Sequence, residues 1–215
     1  MSNVSLIHED EQLIVLNKPE GLLAVPGKGP DKQDCLSARV QARWPDALVV
    51  HRLDMATSGL VVMARGLEAQ RALSLAFEER RVHKRYTAVV AGQLTNPQAD
   101  NGWNSIDLPL MADWPRRPLQ KVDRVQGKPS LTRWRISAQP STAGTTRLEL
   151  EPVTGRTHQL RVHLQALGHP VVGDALYAAP DTPATAARLL LHAHWLLFPH
   201  PLHGQAMEFH SPCPF

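Results

Sequence analysis

The stretch His51-Arg52-Leu53-Asp54-Met55-Ala56-Thr57-Ser58-Gly59 sets one carboxylate, one imidazole and two hydroxyls in a short polar loop. Apolar runs flank it, Leu48-Val49-Val50 before and Leu60-Val61-Val62-Met63 after, and both read as buried strands. A polar loop between buried strands is where a rigid scaffold presents reactive groups. One ionised carboxylate there is equipped to attack carbon or to take a proton. The same residues also suit a plain Asx turn in which Asp54 only bonds the following amides. The rest of the chain decides between the two.

A second polar constellation is Gly155-Arg156-Thr157-His158-Gln159-Leu160-Arg161-Val162-His163. By itself Arg161 reads as a solvated helix residue. Tyr86 stands in the run Lys84 to Ala91, whose β-branched and aromatic content predicts a strand with Tyr86, Ala88 and Val90 on one face. A strand Tyr normally packs in a core, yet its ring also stacks on a base and its hydroxyl reaches a proton. From Arg116 to Arg135 the basic residues Arg116, Arg117, Lys121, Arg124, Lys128, Arg133 and Arg135 face the single acid Asp123. A smaller cluster is Arg80, Arg81, Lys84 and Arg85. The net charge of only +3 does not indicate nucleic acid, but two basic clusters flanking the polar motifs favour a polyanion.

Other chemistries fit less well. His192-Ala193-His194 puts two imidazoles on one strand face, with His158 and His163 on a helix, but no Cys or acidic ligand completes a metal set. Pro26-Gly27-Lys28-Gly29-Pro30 lacks the Gly-Lys-Ser/Thr ending of a phosphate loop. An RNA-directed glycosidase would need a second, suitably spaced carboxylate, and none stands out. A pure RNA-binding module would use the same cations without turnover.

His51-Arg52-Leu53-Asp54 with Thr57-Ser58-Gly59 resembles the active-site motif of the RluA-type pseudouridine synthases. Further matches follow in order: Asn17-Lys18-Pro19 with Gly21-Leu22-Leu23 and Val25-Pro26-Gly27; Lys84-x-Tyr86; Asp107-Leu108-Pro109-Leu110 through Asp113-Trp114-Pro115, Arg117-Pro118, Gln120-Lys121-Val122 and Gly127-Lys128-Pro129; Arg156-x-His158-Gln159-Leu160-Arg161-x-His163; and Gly173-Asp174-Ala175-Leu176-Tyr177. Met111-Ala112 and Arg116 depart from the pattern of the branch. The resemblance implies conversion of uridine to pseudouridine with no cofactor and no metal. It implies that Asp54, Tyr86 and Arg161 are catalytic, with Arg161 the charge partner of Asp54. It further implies that Arg52 fills the space left by a flipped base, with His51, Thr57, Arg116, Arg117, Lys121, Arg124, Lys128, Arg156 and His158 on the RNA. The implied targets are uridine 746 of 23S rRNA and uridine 32 of the tRNA anticodon stem-loop.

The elements that must position these groups are legible in outline. Leu13 to Leu16 predicts a strand ending at the Pro19/Gly21 turn, and Leu36 to Trp44 a short helix stopped by Pro45. Residues 67 to 81 predict an amphipathic helix with Ala69, Ala72, Leu73, Ala76 and Phe77 on its buried stripe. Leu131 to Ser137 and Thr145 to Glu151 predict strands. A helix near Thr157, with Thr157 as N-cap, is expected to bury Leu160, Leu164 and Leu167 before Gly168 and Pro170 end it. Arg188 to Leu197 and Met207 to Phe209 predict the last strands.

The 215 residues suffice for one large domain or two packed halves, with 18 prolines marking many turns. No leader pattern and no run of 18 apolar residues is present, so a soluble cytoplasmic protein acting away from membranes is expected, as a monomer. Cys35 and Cys213 lack metal or redox spacing and read as inert thiols. The expected fold is α+β: one catalytic domain over residues 1–215 without an N-terminal S4 module. Its largely antiparallel mixed sheet should form two halves with flanking helices and a central cleft.

Overall fold

The computed structural model describes residues 4–95, 102–141, 144–178 and 186–215. The elements in chain order are β1 (Ser5–Glu9), β2 (Leu13–Lys18), α1 (Leu36–Gln41), β3 (Ala47–Val49), β4 (Ser58–Arg65), α2 (Gly66–Glu78), β5 (His83–Ala91), β6 (Asn104–Asp107), β7 (Leu110–Ala112), β8 (Gln120–Val122), β9 (Leu131–Ser141), β10 (Thr145–Pro152), α3 (Gln159–Ala166), β11 (Leu191–Pro199) and β12 (Ala206–His210). The chain divides into two compact units, one reaching Lys84 and adding His192–Pro214, the other spanning Arg85–Leu191 with Phe215. Among the described residues no helix is long and apolar enough to cross a membrane.

In the first unit β4 is central. β2 runs antiparallel to it, β1 antiparallel to β2, and β3 pairs with the last residues of β4. β11 pairs in parallel with the first residues, Ser58 and Gly59, and β12 closes antiparallel on β11. From Ser58 to Ala64 every residue of β4 is buried, as the unbroken apolar run predicts. α2 lays Ala69, Leu73 and Ala76, spaced at helical intervals, onto a core that includes Leu13, Val15, Leu60, Val62, Leu196 and Phe198. It ends where Arg80 turns left-handed (φ 59°) and Arg81 N–H returns to the Ala76 carbonyl at 2.8 Å. Cys35 is buried as the N-cap of α1, its sulfur accepting from Ala38 N–H.

The second unit is an antiparallel sheet of order β5-β10-β9-β6, with a separate hairpin β7-β8. Alternate residues of β10, Thr146, Leu148, Leu150 and Pro152, are buried, the period-2 pattern of a one-sided strand. α3 departs from expectation at both ends. Its N-cap is His158 in left-handed conformation (φ 53°), not Thr157. Gln159 explains the difference. Its Oε1 accepts Arg156 N–H (3.0 Å) and the Thr154 hydroxyl (2.7 Å), while its Nε2 donates to Leu131 O and Thr132 Oγ1, both at 3.0 Å. One carboxamide thus ties the chain before α3 to the Leu131–Thr132 strand, and among the described residues no side chain caps the first turn of the helix. Residues Gln159 to Leu164 are all buried, whereas Leu167 is 38% exposed, so the expected stripe fails at its last member.

Candidate active site

Asp54 opens the turn that leads into β4: Thr57 N–H bonds the Asp54 carbonyl at 3.1 Å. Arg52 and Met55 are exposed, while Leu53 is buried and anchors the turn below. Thr57 is 2% exposed, so it shapes the loop from inside rather than offering a hydroxyl to solvent. Two further devices hold this turn, and the linear motifs contain their residues without showing the contacts they make. Lys18, 0% exposed at the end of β2, donates its ammonium to the carbonyls of Pro19 (2.8 Å), Leu22 (2.8 Å) and Met55 (3.1 Å). Three N–H donors meet three carbonyls, and Met55 is the residue after Asp54. On the other side the buried His192 ring lies between Ser58 Oγ (2.8 Å) and Ser211 Oγ (3.2 Å). Gly59 lets β11 approach, because a Cβ there would stand 2.3 Å from Ala193 O.

His51 sits behind the turn. Its Nε2 accepts Val62 N–H at 3.0 Å, which fixes the neutral tautomer with hydrogen on Nδ1, and its ring packs on Phe77 at 4.7 Å between centroids. Burial, with the Lys84 ammonium nearby as a lesser cause, pushes its pKa down to about 3. One nitrogen and one face of this ring therefore belong to the fold, not to a phosphate. The folded imidazole stays neutral where the unfolded one protonates, at about 6.5. Stability is thus undiminished above pH 6.5 and is lost as pH falls from there toward 3. In urea unfolding, wild type is expected to lose up to about 2 kcal/mol more than His51→Gln between pH 7 and pH 5. Equal losses would remove His51 as the acid-sensitive group.

In the second unit Tyr86 is buried on β5 beside Ala88 and Val90, opposite Leu150 of β10. Arg161 is buried too, at 4% exposure, which excludes the solvated-helix reading. Its Nε and Nη2 bond Asp174 Oδ2 and Oδ1, both at 2.7 Å, a bidentate fork. Asp174 also accepts Leu176 N–H (2.9 Å) and Tyr177 N–H (3.1 Å). The Tyr177 ring lies 5.0 Å from the guanidinium. Its hydroxyl accepts Gln120 N–H (2.8 Å) and shares a hydrogen bond with His158 Nδ1 (2.7 Å), so β8, the α3 cap and the Asp174 turn are joined through one oxygen. The side chains of His163 and Thr132 meet at 2.9 Å, with His163 Nε2 donating to Leu108 O at 2.9 Å. Since His192 and His163 both engage their two nitrogens with protein oxygens, the metal reading loses two of its ligands.

The basic strip is less positive than its composition. Arg116 is held by Asp113 at 2.6 Å, Lys121 by Asp123 at 3.3 Å, Arg133 by Glu151 at 3.1 Å, and Arg135 by Glu149. The pairing register places Arg133 across from Glu151 and Arg135 across from Glu149, a relation invisible in the linear count. Arg117, Arg124 and Lys128 are exposed, as is Arg156, whose Nε lies 3.4 Å from Pro129 O.

The α+β fold with its mixed sheet carries a carboxylate turn in the first unit, and a buried arginine, a buried tyrosine and exposed cations in the second. Residues 12–166, which include Asp54, Tyr86 and Arg161, match the RNA pseudouridylate synthase family. The chain belongs to this family and is an RNA pseudouridine synthase, an isomerase, so the reading as a binding module without turnover is set aside. It is 46% identical over 210 residues to the dual-specificity RNA pseudouridine synthase RluA of Escherichia coli K12, across 98% of this chain and 93% of that one. With the Yersinia pestis protein of the same name the identity is 46%, across 98% and 99%. Among solved structures, human RNA pseudouridylate synthase domain containing 1 aligns with TM-score 0.81 and 31% identity over 99% of this chain and 84% of its own.

Proposed function

We propose that this synthase acts on a uridine in the loop of a structured stem-loop, with uridine 746 of 23S rRNA and uridine 32 of the tRNA anticodon arm as targets. The observation that carries this reading is the 46% identity, across 98% of the chain, to a relative whose name states dual specificity. We read the enzyme as a cytoplasmic monomer.

The reaction breaks N1–C1′, turns the uracil and forms C5–C1′; the C5 proton leaves and N1 gains one, so nothing is oxidised and no cofactor is called for. Asp54 supplies the carboxylate, attacking C1′ or C6 or taking the 2′ proton. Tyr86 packs against the uracil. Arg161, aimed by Asp174, balances the Asp54 charge. The target must leave its stack first, which costs a few kcal/mol, and exposed Arg52 fills the gap. Loop bases are easier to extract than those in A-form helix, which is why a stem-loop suits. Arg117, Arg124, Lys128 and Arg156 grip phosphates, joined by Arg116 and Lys121 through the donors left after their carboxylate pairs. His51 and Thr57 serve by shaping the turn, and His158 by anchoring α3.

Tritium release from RNA labelled at uridine C5 tests the assignment, using the anticodon stem-loop and the 23S fragment. Release from both is expected. Release from neither, with other tRNA and rRNA loops converted, would move the target elsewhere. Replacing Lys121 and Arg124 by Ala together should weaken binding and reduce the slope of log K against log salt by about 0.7 for each phosphate left without its cation. An unchanged slope would place the phosphates on other residues.

A further inference from the structure

Trp114 is the aromatic member of the exposed large hydrophobic side chains among the described residues, at 63% exposure. Tryptophan is highly buried on average, so an indole open to water is a feature to explain. It stands in the turn joining β7 to β8, and this turn is tightly built. Asp113 N–H bonds Leu119 O (2.9 Å), Arg116 N–H bonds Asp113 O (3.0 Å) and Leu119 N–H bonds Arg116 O (3.0 Å). The Asp113 carboxylate, itself buried, takes the Arg116 Nε at 2.8 Å, and Gln120 N–H ties the next residue to Tyr177. The indole is therefore presented by a fixed frame. Over its ring lies the Arg117 guanidinium, 3.2 Å from the centroid.

We propose that the Trp114–Arg117 pair is a stacking platform for one unpaired nucleobase of the RNA, a base other than the uridine that reacts. This rests on the RNA-modifying reading above. A planar cation on an indole is already the first layer of a stack, and a base has the flat face and polarisable ring to add the next. The surroundings choose the occupant: Arg116, Arg117 and Lys121, of which Arg116 is paired with Asp113 and Lys121 with Asp123, leave the hairpin polar and net positive, which suits a base that arrives with its phosphate, not an apolar protein segment. Because the frame is preformed, little ordering cost is charged against the contact.

The test compares wild type, Trp114→Phe and Trp114→Ala with a convertible stem-loop RNA, reading binding across salt concentrations and steady-state turnover. Trp114→Ala should raise Kd and KM by about 5- to 150-fold, the range for one stacked base. Its kcat and its salt slope should stay at wild-type values, since stacking releases no counterion, in contrast to the Lys121 and Arg124 double variant. Trp114→Phe should recover most of the loss. Abasic substitution of the loop nucleotides one at a time should find one position that weakens wild type and leaves Trp114→Ala no weaker. An unchanged Kd in Trp114→Ala, or a changed salt slope, or no such loop position, overturns the platform while the enzyme still converts uridine. Wild type that neither binds nor converts any stem-loop overturns the functional reading along with it. Loss of affinity for a protein partner in place of RNA also counts against the platform.

Discussion

Asp54→Asn is expected to release no tritium above background from C5-labelled RNA, while binding the same RNA nearly as well as wild type. The substitution keeps the shape of the side chain and removes its charge. Since the turn is held by the Asp54 carbonyl, by Lys18 on the Met55 carbonyl and by the buried Leu53, the backbone has no reason to move. The three routes open to the carboxylate, attack at C1′, attack at C6 and abstraction of the 2′ proton, all require the anion, so the expectation does not depend on which is followed. Turnover by Asp54→Asn would take the central role away from this residue.

The second large effect concerns the arginine fork. Asp174→Asn leaves the Leu176 and Tyr177 N–H groups an oxygen to bond but removes the charge of the bidentate partner of buried Arg161. Breaking a buried pair from one side costs about 3 to 5 kcal/mol, a large share of a total near 5 to 15 kcal/mol. A fall in Tm of about 10 °C is expected for a chain of this size. Thermal unfolding of Arg161→Met/Asp174→Leu separates stability from chemistry: removing both charges should restore much of the lost stability, whereas tritium release should stay absent. Asp174→Asn unfolding within about 1 °C of wild type would show that the pair does not hold the fold.

What the sequence disclosed follows from the range of the interactions involved. The α2 stripe of Ala69, Leu73 and Ala76 is readable because helical periodicity is local, and so is the buried run of β4. Asp54, Tyr86 and Arg161 stand out because their neighbours carry motifs. The partners that hold them do not. Asp174 lies 13 residues from Arg161, within a turn marked only by its likeness to relatives, and nothing in its own neighbourhood says what it binds. Lys18 stands in the Asn17-Lys18-Pro19 motif, but nothing there says that its ammonium reaches the Met55 carbonyl. The Thr157 cap fails because Gln159, two residues on, reaches back to Arg156 N–H and across to Leu131 and Thr132, bonds that no reading of the linear stretch supplies. The basic strip is overcounted because the carboxylates that answer Arg133 and Arg135 sit on the next strand, and register is a tertiary fact.

The Lys18 ammonium bears on how freely this protein can drift. Its bonds to the main-chain oxygens of Pro19, Leu22 and Met55 are blind to which side chains those positions carry. Mutations at exposed position 55 can accumulate without a compensating change at 18, because the carbonyl stays whatever the residue, while position 22 answers only to the core that buries Leu22. The reverse does not hold. A shorter or neutral side chain at 18 strands three carbonyls at once, and no single replacement elsewhere can supply a donor to all of them. Variation around the catalytic turn is therefore one-sided, tolerant at the rim and closed at the one lysine beneath it.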